Sequence, residues 1–203
     1  YQIFCIIVDI IIFIMFFKNS SFIEVYDNAL SSHECNLLID HFETSPQMDG
    51  MCFLKGQLVK DPKAKKCTEI GDCFFSIENS VSKIIFSPLM KCLKKYKRKY
   101  PSIEYAANLG IDDHYNFKKF ESKDDGFKVW HTEQGRSDLM SKRVLAWTFY
   151  INDAMSGTEF FHYPKVKAKK GRCVIWPAGF THVHRSEKNK GLKYIISGWA
   201  SHM

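Results

Sequence analysis

Short runs of β-branched and aromatic residues follow one another closely through the second half of the chain. Gly, Asp, Asn and Pro separate these runs, and no helical pattern lies between them. The predicted strands are Phe127 to His131, Val144 to Ile151, Gly157 to His162, Cys173 to Trp176 and Tyr194 to Trp199. Several short strands at this spacing are typical of a β-sandwich or a small barrel.

The first half of the chain carries helical signals instead. Phe22 to Tyr26 alternates as a short strand does, and Ser31 to Glu34 then forms a capping sequence that predicts a helix through Phe42. A second helix is predicted from about Asn79 to Tyr100, with Pro88 kinking or dividing it. Helices followed by closely spaced strands predict an α+β fold.

Composition limits the class of protein. The 203 residues are 45% hydrophobic and 15% aromatic, which supports one domain with a substantial core and excludes wholesale disorder. The formal net charge of +7 favours anionic partners but does not bear on the fold. Residues 45–75 are lysine-rich with few regular signals, and we predict that they are irregular. The basic stretch Lys91 to Lys99 has apolar residues at helical spacing, so we predict a solvated helix face there rather than a nucleic-acid footprint.

The seven cysteines include no CxxC pair. Cys52, Cys67 and Cys73 lie close enough in sequence to leave a disulfide open. Only Cys173 falls in the C-terminal half, so the chain is not a cysteine framework, and we expect reduced, mostly buried thiols.

The N-terminal segment stands apart from the rest. Residues 3–17 are nearly continuously apolar, but this run is short for a bilayer span of about 20 residues and lacks the charged start of a signal peptide. A truncated signal or anchor, a buried strand and an extraneous extension all remain open. We divide the chain into an apolar segment of uncertain role, residues 1–21, and a domain of residues 22–203. We expect a cytoplasmic protein, with an N-terminal anchor or secretory signal as the alternative.

The motif Val129-Trp130-His131-Thr132-Glu133-Gln134 carries the first chemical signal. On a strand, residues two apart project from the same face, so His131 and Glu133 can point into one cavity. His182 and His184 follow a hydrophobic strand further on and are candidates for a third ligand. Two histidines and one carboxylate form the facial triad that suits non-haem Fe(II). Alternation does not choose between His182 and His184, because both would share one strand face.

A lone cation, Lys193, lies nine residues beyond His184 at the start of a predicted strand. An unpaired buried charge is costly, so a lysine entering a barrel strand needs an anionic partner.

The order of these features resembles that of 2-oxoglutarate- and Fe(II)-dependent oxygenases of the prolyl 4-hydroxylase type, small viral and microbial members above all. The resemblance covers most of residues 22–203. It rests on FIEVYDNALSSHECNLLIDHFE (22–43), WHTE (130–133), RVLAWTFYIND (143–153), GTEF (157–160), KKGRCVIWPAGFTHVHR (169–185) and KYIISGW (193–199).

The resemblance implies a double-stranded β-helix (jelly-roll) core with the N-terminal helices packed on it. It implies that His131, Glu133 and His184 bind Fe(II), since the spacing to Lys193 favours His184 over His182. The roles implied for the cosubstrate site are an ion pair from Lys193 to the distal carboxylate of 2-oxoglutarate, a hydrogen bond from Tyr150 to the same carboxylate, and a pocket wall formed by Trp199. Fe(II) and 2-oxoglutarate are thus the implied cofactor and cosubstrate, with ascorbate as a further cofactor.

Three departures from the family pattern are visible. The acidic ligand is Glu133 rather than the commoner aspartate, and Phe120 stands where many members have a tyrosine that reaches the cosubstrate. The stretch from Met155 to Glu159 is shorter than the family's usual loop.

Arg143 is expected to face solvent.

The expected activity is hydroxylation of a C–H bond, on a prolyl or related peptide side chain, with release of succinate and CO₂. A peptide or protein substrate is therefore the expected partner, with specificity in residues 45–75, 121–126 and 153–168. Two alternatives remain: a catalytically silent β-helix module that binds an anionic partner, and the same chemistry on a small metabolite or a nucleic acid. A nucleic-acid partner is not expected, and membrane association could arise only through residues 1–17.

Overall fold

The computed structural model describes residues 21–54, 57–74, 80–106 and 108–203. The predictions for residues 1–20 lie outside the described residues, as does the start of the second helix at Asn79. No helix of the described part is both long and apolar enough to cross a membrane.

The two predicted helices and most of the predicted strands are present in the order expected, and further strands lie between and after the two helices. In chain order the elements are β1 (Glu24–Tyr26), α1 (Ser32–Thr44), β2 (Met48–Asp49), β3 (Cys52–Leu54), β4 (Gln57–Val59), β5 (Lys65–Lys66), β6 (Thr68–Cys73), α2 (Ser80–Lys99), α3 (Ile103–Ala106), β7 (Leu109–Phe120), β8 (Gly126–Phe127), α4 (Asp138–Ser141), β9 (Arg143–Tyr150), β10 (Thr158–Phe160), β11 (Arg172–Pro177), a 3-10 turn (Phe180–His182), β12 (His184–Ser186) and β13 (Lys193–His202).

Seven antiparallel strands form the main sheet, in the order β1-β11-β9-β13-β7-β6-β2. Three two-stranded pairs, β10-β12, β3-β4 and β5-β8, make up the remaining β-structure. Strands that are far apart in sequence are neighbours here, as β11 beside β9 and β13 beside both β9 and β7. The predicted α+β jelly-roll class is confirmed.

Both faces of the main sheet are buried, and alternation along β9 shows how. Trp147 and Phe149 point to one face, where they join the core formed with helices α1 and α2. Ala146 and Tyr150 point to the other face, where they pack with Phe160 of β10 in a second, smaller core. Because side chains alternate along a strand, each central strand supplies one layer of residues to the helices and another to the interior of the barrel.

Helix α1 begins at the predicted cap. The Ser31 hydroxyl accepts a hydrogen bond from the Glu34 amide at 3.2 Å, and the Glu34 carboxylate accepts from the Ser31 amide at 2.7 Å. These reciprocal bonds satisfy amide groups that the first helical turn leaves free.

Helix α2 runs uninterrupted past Pro88, so the proline does not divide it. Its basic stretch is amphipathic as predicted: Cys92 and Tyr96 are buried, and Lys91, Lys94 and Lys95 are exposed. The prediction of a solvated lysine face is confirmed.

Two predictions about strands were wrong, and one strand was missed. Residues 45–75 are not irregular, because β6 lies in the main sheet and pairs with β7. The 12-residue strand β7 was not predicted, because most of its residues are polar and alternation is visible only around Tyr115 and Phe117. The predicted strand Phe127 to His131 shrinks to β8, and His131 makes only a single β-bridge.

The described cysteines are free and buried, in agreement with the prediction of reduced thiols; they are Cys35, Cys52, Cys67, Cys92 and Cys173.

Candidate metal centre

Two backbone hydrogen bonds bring the first and last candidate ligands together. The His131 amide donates to the His184 carbonyl and the His184 amide donates to the His131 carbonyl, each at 3.0 Å. This isolated antiparallel bridge sets the two residues side by side, with ring centroids 4.4 Å apart. One pair of backbone hydrogen bonds thus brings together two residues that are 53 positions apart in the sequence.

Glu133 completes a compact cluster with the two histidines. Its Oε1 lies 3.7 Å from His131 Nε2 and 3.3 Å from His184 Nε2. One ligand atom from each of the three residues lies within 4.8 Å of the other two. Ligands about 2.1 Å from one ion and at right angles to each other are about 3 Å apart, so these atoms are close to the spacing that one metal ion requires.

The atoms that face away from the cluster are held by hydrogen bonds. His131 Nδ1 lies 3.0 Å from the Val129 carbonyl, and His184 Nδ1 lies 2.9 Å from the His182 carbonyl. A carbonyl oxygen can only accept, so Nδ1 carries the proton in both rings. In the neutral form of each ring the lone pair is therefore on Nε2, which points into the cluster.

The second oxygen of Glu133 is held in the same way. Its Oε2 accepts a hydrogen bond from Trp199 Nε1 at 2.8 Å. The Arg143 guanidinium stacks on the Trp199 ring at 3.5 Å and donates from Nη1 to the Glu133 carbonyl at 3.1 Å. The expectation that Arg143 faces solvent was wrong: the residue is 7% exposed, because its charge lies between Glu133 and Asp112.

Local charges favour the protonation states that bind a metal. Burial lowers the pKa of His131, and the neighbouring His184 lowers it further. Burial alone would raise the pKa of Glu133, but hydrogen bonds and positive charge from His131 and His184 in their protonated forms outweigh burial and hold this pKa well below its usual range. A neutral imidazole and an ionised carboxylate are the forms that act as ligands.

His182, the other candidate for the third ligand, lies away from this cluster. Its Nε2 is 2.7 Å from the Ser21 carbonyl, its Nδ1 is 2.8 Å from the Thr181 hydroxyl, and its ring stacks on Tyr163. Both ring nitrogens are therefore occupied. His182 belongs to a 3-10 turn and not to strand β12, so the two histidines do not share a strand face.

Lys193 and Tyr150 lie on the barrel side of the main sheet. Lys193 is 2% exposed, its Nζ donates to the Ser156 hydroxyl at 3.2 Å, and it lies 4.9 Å from the centre of the Phe120 ring. Burial lowers the pKa of Lys193 to about 8. The Tyr150 hydroxyl is 2.7 Å from the Thr158 hydroxyl. Within the described ranges, no carboxylate oxygen lies within 4.0 Å of the Lys193 ammonium group, although the charge of Glu187 acts on it from further away.

A cavity of about 400 Å³ opens beside the cluster. Trp199, Thr158 and Phe120 form part of its wall, so each predicted cosubstrate residue either lines the cavity or contacts a residue that does. Sequence reasoning missed further polar residues of this wall, Lys118 on β7 and Ser197 on β13. Alternation around Tyr115 and Phe117 could have revealed β7 and hence the direction of Lys118.

Comparison with known proteins bears on the fold. No protein-family profile and no curated protein sequence matches the chain. Solved structures do match: the viral collagen prolyl hydroxylase of Paramecium bursaria Chlorella virus-1, in complex with 2-oxoglutarate, is 17% identical with a TM-score of 0.66 and covers 91% of this chain and 98% of its own.

Two further structures agree. A Pseudomonas putida prolyl-4-hydroxylase is 11% identical with a TM-score of 0.62, covering 91% of this chain and 94% of its own. A Trichoplax adhaerens prolyl hydroxylase, in complex with a peptide fragment of the hypoxia-inducible factor oxygen degradation domain, is 12% identical with a TM-score of 0.66, covering 90% and 84%. The chain therefore has the fold of the prolyl hydroxylases, as its motifs indicated.

Proposed function

We propose that this protein is a non-haem Fe(II)- and 2-oxoglutarate-dependent dioxygenase that hydroxylates a C–H bond and releases succinate and CO₂. The observation that carries the proposal is the convergence of His131, Glu133 and His184. The outward atoms of all three side chains are engaged in hydrogen bonds, and their inward atoms face one point.

The donor set fits an iron ion. Two Nε2 lone pairs and a carboxylate oxygen are all acceptors, and acceptors that face one another repel unless protons or a metal ion lie between them. Two imidazoles and one carboxylate on one side of an ion leave its other positions open for a cosubstrate, which suits Fe(II). When bound, the iron would supply the activation of O₂ that couples decarboxylation of 2-oxoglutarate to C–H hydroxylation.

The residues around the cluster would bind and orient the cosubstrate. Lys193 is a buried cation that lacks a carboxylate partner in the described part of the chain, and the distal carboxylate of 2-oxoglutarate would supply one. Tyr150 and Thr158 would add hydroxyl groups beside it. Burial raises the pKa of Tyr150 to about 12, so this hydroxyl keeps its proton. Trp199 would hold Glu133 in place and close the cavity wall.

The substrate class we propose is a prolyl or related peptide side chain. Exposed apolar side chains border the cavity: Phe53 and Leu58 on the β3-β4 hairpin and Leu139 on α4. Such side chains suit the apolar contacts of an extended peptide. The peptide complex of the Trichoplax adhaerens enzyme supports this class by fold likeness. A small metabolite or a nucleic acid as substrate would be an outcome of the test below.

The experiment is an anaerobic titration of the protein with Fe(II) and 2-oxoglutarate, followed by visible spectroscopy. We expect a weak metal-to-ligand charge-transfer band, lost in Glu133→Ala because one ligand is removed from a preformed site. Glu104→Ala, an exposed glutamate on α3, is the matched control and should keep the band. Absence of the band in folded protein, or its persistence in Glu133→Ala, would contradict the proposal.

The second step admits O₂ and measures succinate. Proline-containing peptides, free amino acids and single-stranded oligonucleotides are compared for stimulation of succinate release. We expect stimulation by the peptides. A charge-transfer band with no succinate under any of these conditions would instead favour the silent binding module.

A further inference from the structure

Lys118 is a cation of the cavity wall that, like Lys193, has no acidic partner among the described residues. It lies on β7, where Asn116, Lys118 and Phe120 alternate with Tyr115 and Phe117; the first three line the cavity and the other two pack against the helices. Lys118 Nζ donates to the Ser197 hydroxyl at 2.8 Å. Lys118 is partly buried and belongs to the cavity wall itself, whereas Lys193 lies outside that wall.

The other cations of the cavity wall have acidic partners. Lys65 lies 2.5 Å from Glu69, Arg185 lies 2.8 Å from Glu159, and Arg143 lies within 4.0 Å of both Glu133 and Asp112. In the part of the chain that the structure describes, no carboxylate oxygen lies within 4.0 Å of Lys118 Nζ. Among the described residues, one of its three N–H donors has an acceptor, the Ser197 hydroxyl.

The charges of the proposed iron centre, the two unpaired lysines and 2-oxoglutarate do not sum to zero. With Fe(II) bound to two neutral histidines and Glu133, the centre carries one net positive charge. Lys193 and Lys118 add one each, and 2-oxoglutarate, a dianion, cancels two of these three. Charges removed from water require a partner, so the cavity is set up either for a second contact to 2-oxoglutarate or for one further anionic group.

We propose that Lys118 and Ser197 together bind a carboxylate or similar anionic group of a cavity ligand, in addition to the contact proposed for Lys193. The inference rests on the proposed function. Two free N–H groups of Lys118 and the hydroxyl of Ser197 can donate to one anion, an arrangement that charge-assisted hydrogen bonds favour. The anion is either a carboxylate of 2-oxoglutarate or an acidic group of the primary substrate.

Electrostatics supports an anion here. Burial lowers the pKa of Lys118 and the positive charge of Lys65 lowers it further, and these two effects outweigh the negative charges of Glu69 and Glu133, which raise it. An anion bound beside the ammonium group would act in the same direction as the two carboxylates.

The test compares Lys118→Met with wild type and with Lys119→Met. Methionine keeps the length of the side chain and removes an unpaired charge, so Lys118→Met should fold, and Lys118→Gln is the second variant. Lys119 is the matched control because it points to the helix side of the sheet, where it pairs with Glu43. Calorimetry on Mn(II)-loaded protein measures the Kd of 2-oxoglutarate and of 2-oxopentanoate, which lacks the distal carboxylate.

Three results would support the proposal and would identify the source of the anion. Loss of about tenfold or more in affinity for both keto acids would assign Lys118 to the carboxylate beside the metal. The same loss for 2-oxoglutarate alone would assign it to the distal carboxylate. If neither Kd changes, sulfate is titrated into the complex of the protein with Mn(II) and 2-oxoglutarate. Binding of sulfate by wild type but not by Lys118→Met would indicate that Lys118 binds an acidic group of the primary substrate.

Equal behaviour of Lys118→Met, Lys119→Met and wild type with all three probes would overturn the proposal. Failure of the proposed function looks different, because wild type itself would then not bind 2-oxoglutarate in the presence of Mn(II). In that case sulfate is titrated into protein without cosubstrate, and equal affinities of wild type and Lys118→Met would overturn the Lys118 proposal independently.

Discussion

The candidate ligands are oriented by bonds on the side away from the metal position. Backbone carbonyls set the two imidazoles, and an indole N–H sets the carboxylate. Such outer contacts fix which atom of a ligand faces the metal, and their loss typically weakens metal binding. At the scale of single residues, we therefore expect the proposed metal binding to depend on Trp199 as well as on the three candidate ligands.

Trp199→Phe tests this dependence. Phenylalanine keeps an aromatic ring against Arg143 but removes the N–H that holds Glu133 Oε2, so we expect Mn(II) affinity to fall by about 10- to 100-fold. Calorimetric titration with Mn(II) measures the change. Trp176→Phe is the control in the same cavity wall, because Trp176 Nε1 is buried and has no partner among the described residues. An equal loss in both variants would mean that the indole bond does not orient Glu133.

Strand β13 connects the core under the helices to the site. Gly198 and Trp199 are neighbours on it, and they serve opposite faces: Trp199 borders the cavity, and Gly198 lies against Trp147 in the helix-side core. A Cβ atom at position 198 would lie 2.3 Å from the Trp147 ring. Trp147 Nε1 also donates to the Trp199 carbonyl at 3.3 Å, so the ring closes over this part of the strand.

Gly198→Ala should therefore destabilise the fold. The added methyl group must displace a fully buried indole, and we expect the free energy of unfolding to fall by about 1–3 kcal/mol, measured by urea denaturation. Gly71→Ala on β6 is the matched control, because a Cβ atom there meets nothing within 4 Å. Similar losses at the two positions would show that strand propensity rather than crowding against Trp147 controls the effect.

The whole molecule brings distant segments together at one point. The candidate ligands come from the segment after β8 and from β12, and Trp199 comes from β13. These segments meet only in the folded chain, so a metal ion bound by all three ligands would bind the folded state in preference to the unfolded state. By linkage, such binding stabilises the fold.

Mn(II) should accordingly raise the thermal unfolding temperature. At a free concentration about 100 times its Kd, the ion should add about 2.7 kcal/mol to the free energy of unfolding, and a chelator should remove this gain. Differential scanning calorimetry measures the effect. Glu133→Ala should show little or none of it, whereas an equal shift in Glu133→Ala would place the bound ion elsewhere.

Local signals in the sequence determined a large part of this fold. The helix cap at Ser31, the amphipathic face of α2 and the apolar strands β9 and β11 depend on residues only a few positions apart, and all four lie where they were predicted. The ordered motifs likewise indicated the jelly-roll class.

Only the tertiary structure decided the details of the site. His182 and His184 are equivalent by alternation, and they differ because a 3-10 turn ends between them and the pairing with His131 begins at His184. Arg143 is buried by Trp199, 56 positions away in sequence, and Lys118 faces the cavity because β7 pairs with β13. These contacts join residues far apart along the chain. The sequence pattern of a strand predicts which face of the sheet each side chain points to. Only the pairing of strands determines which residues that side chain contacts.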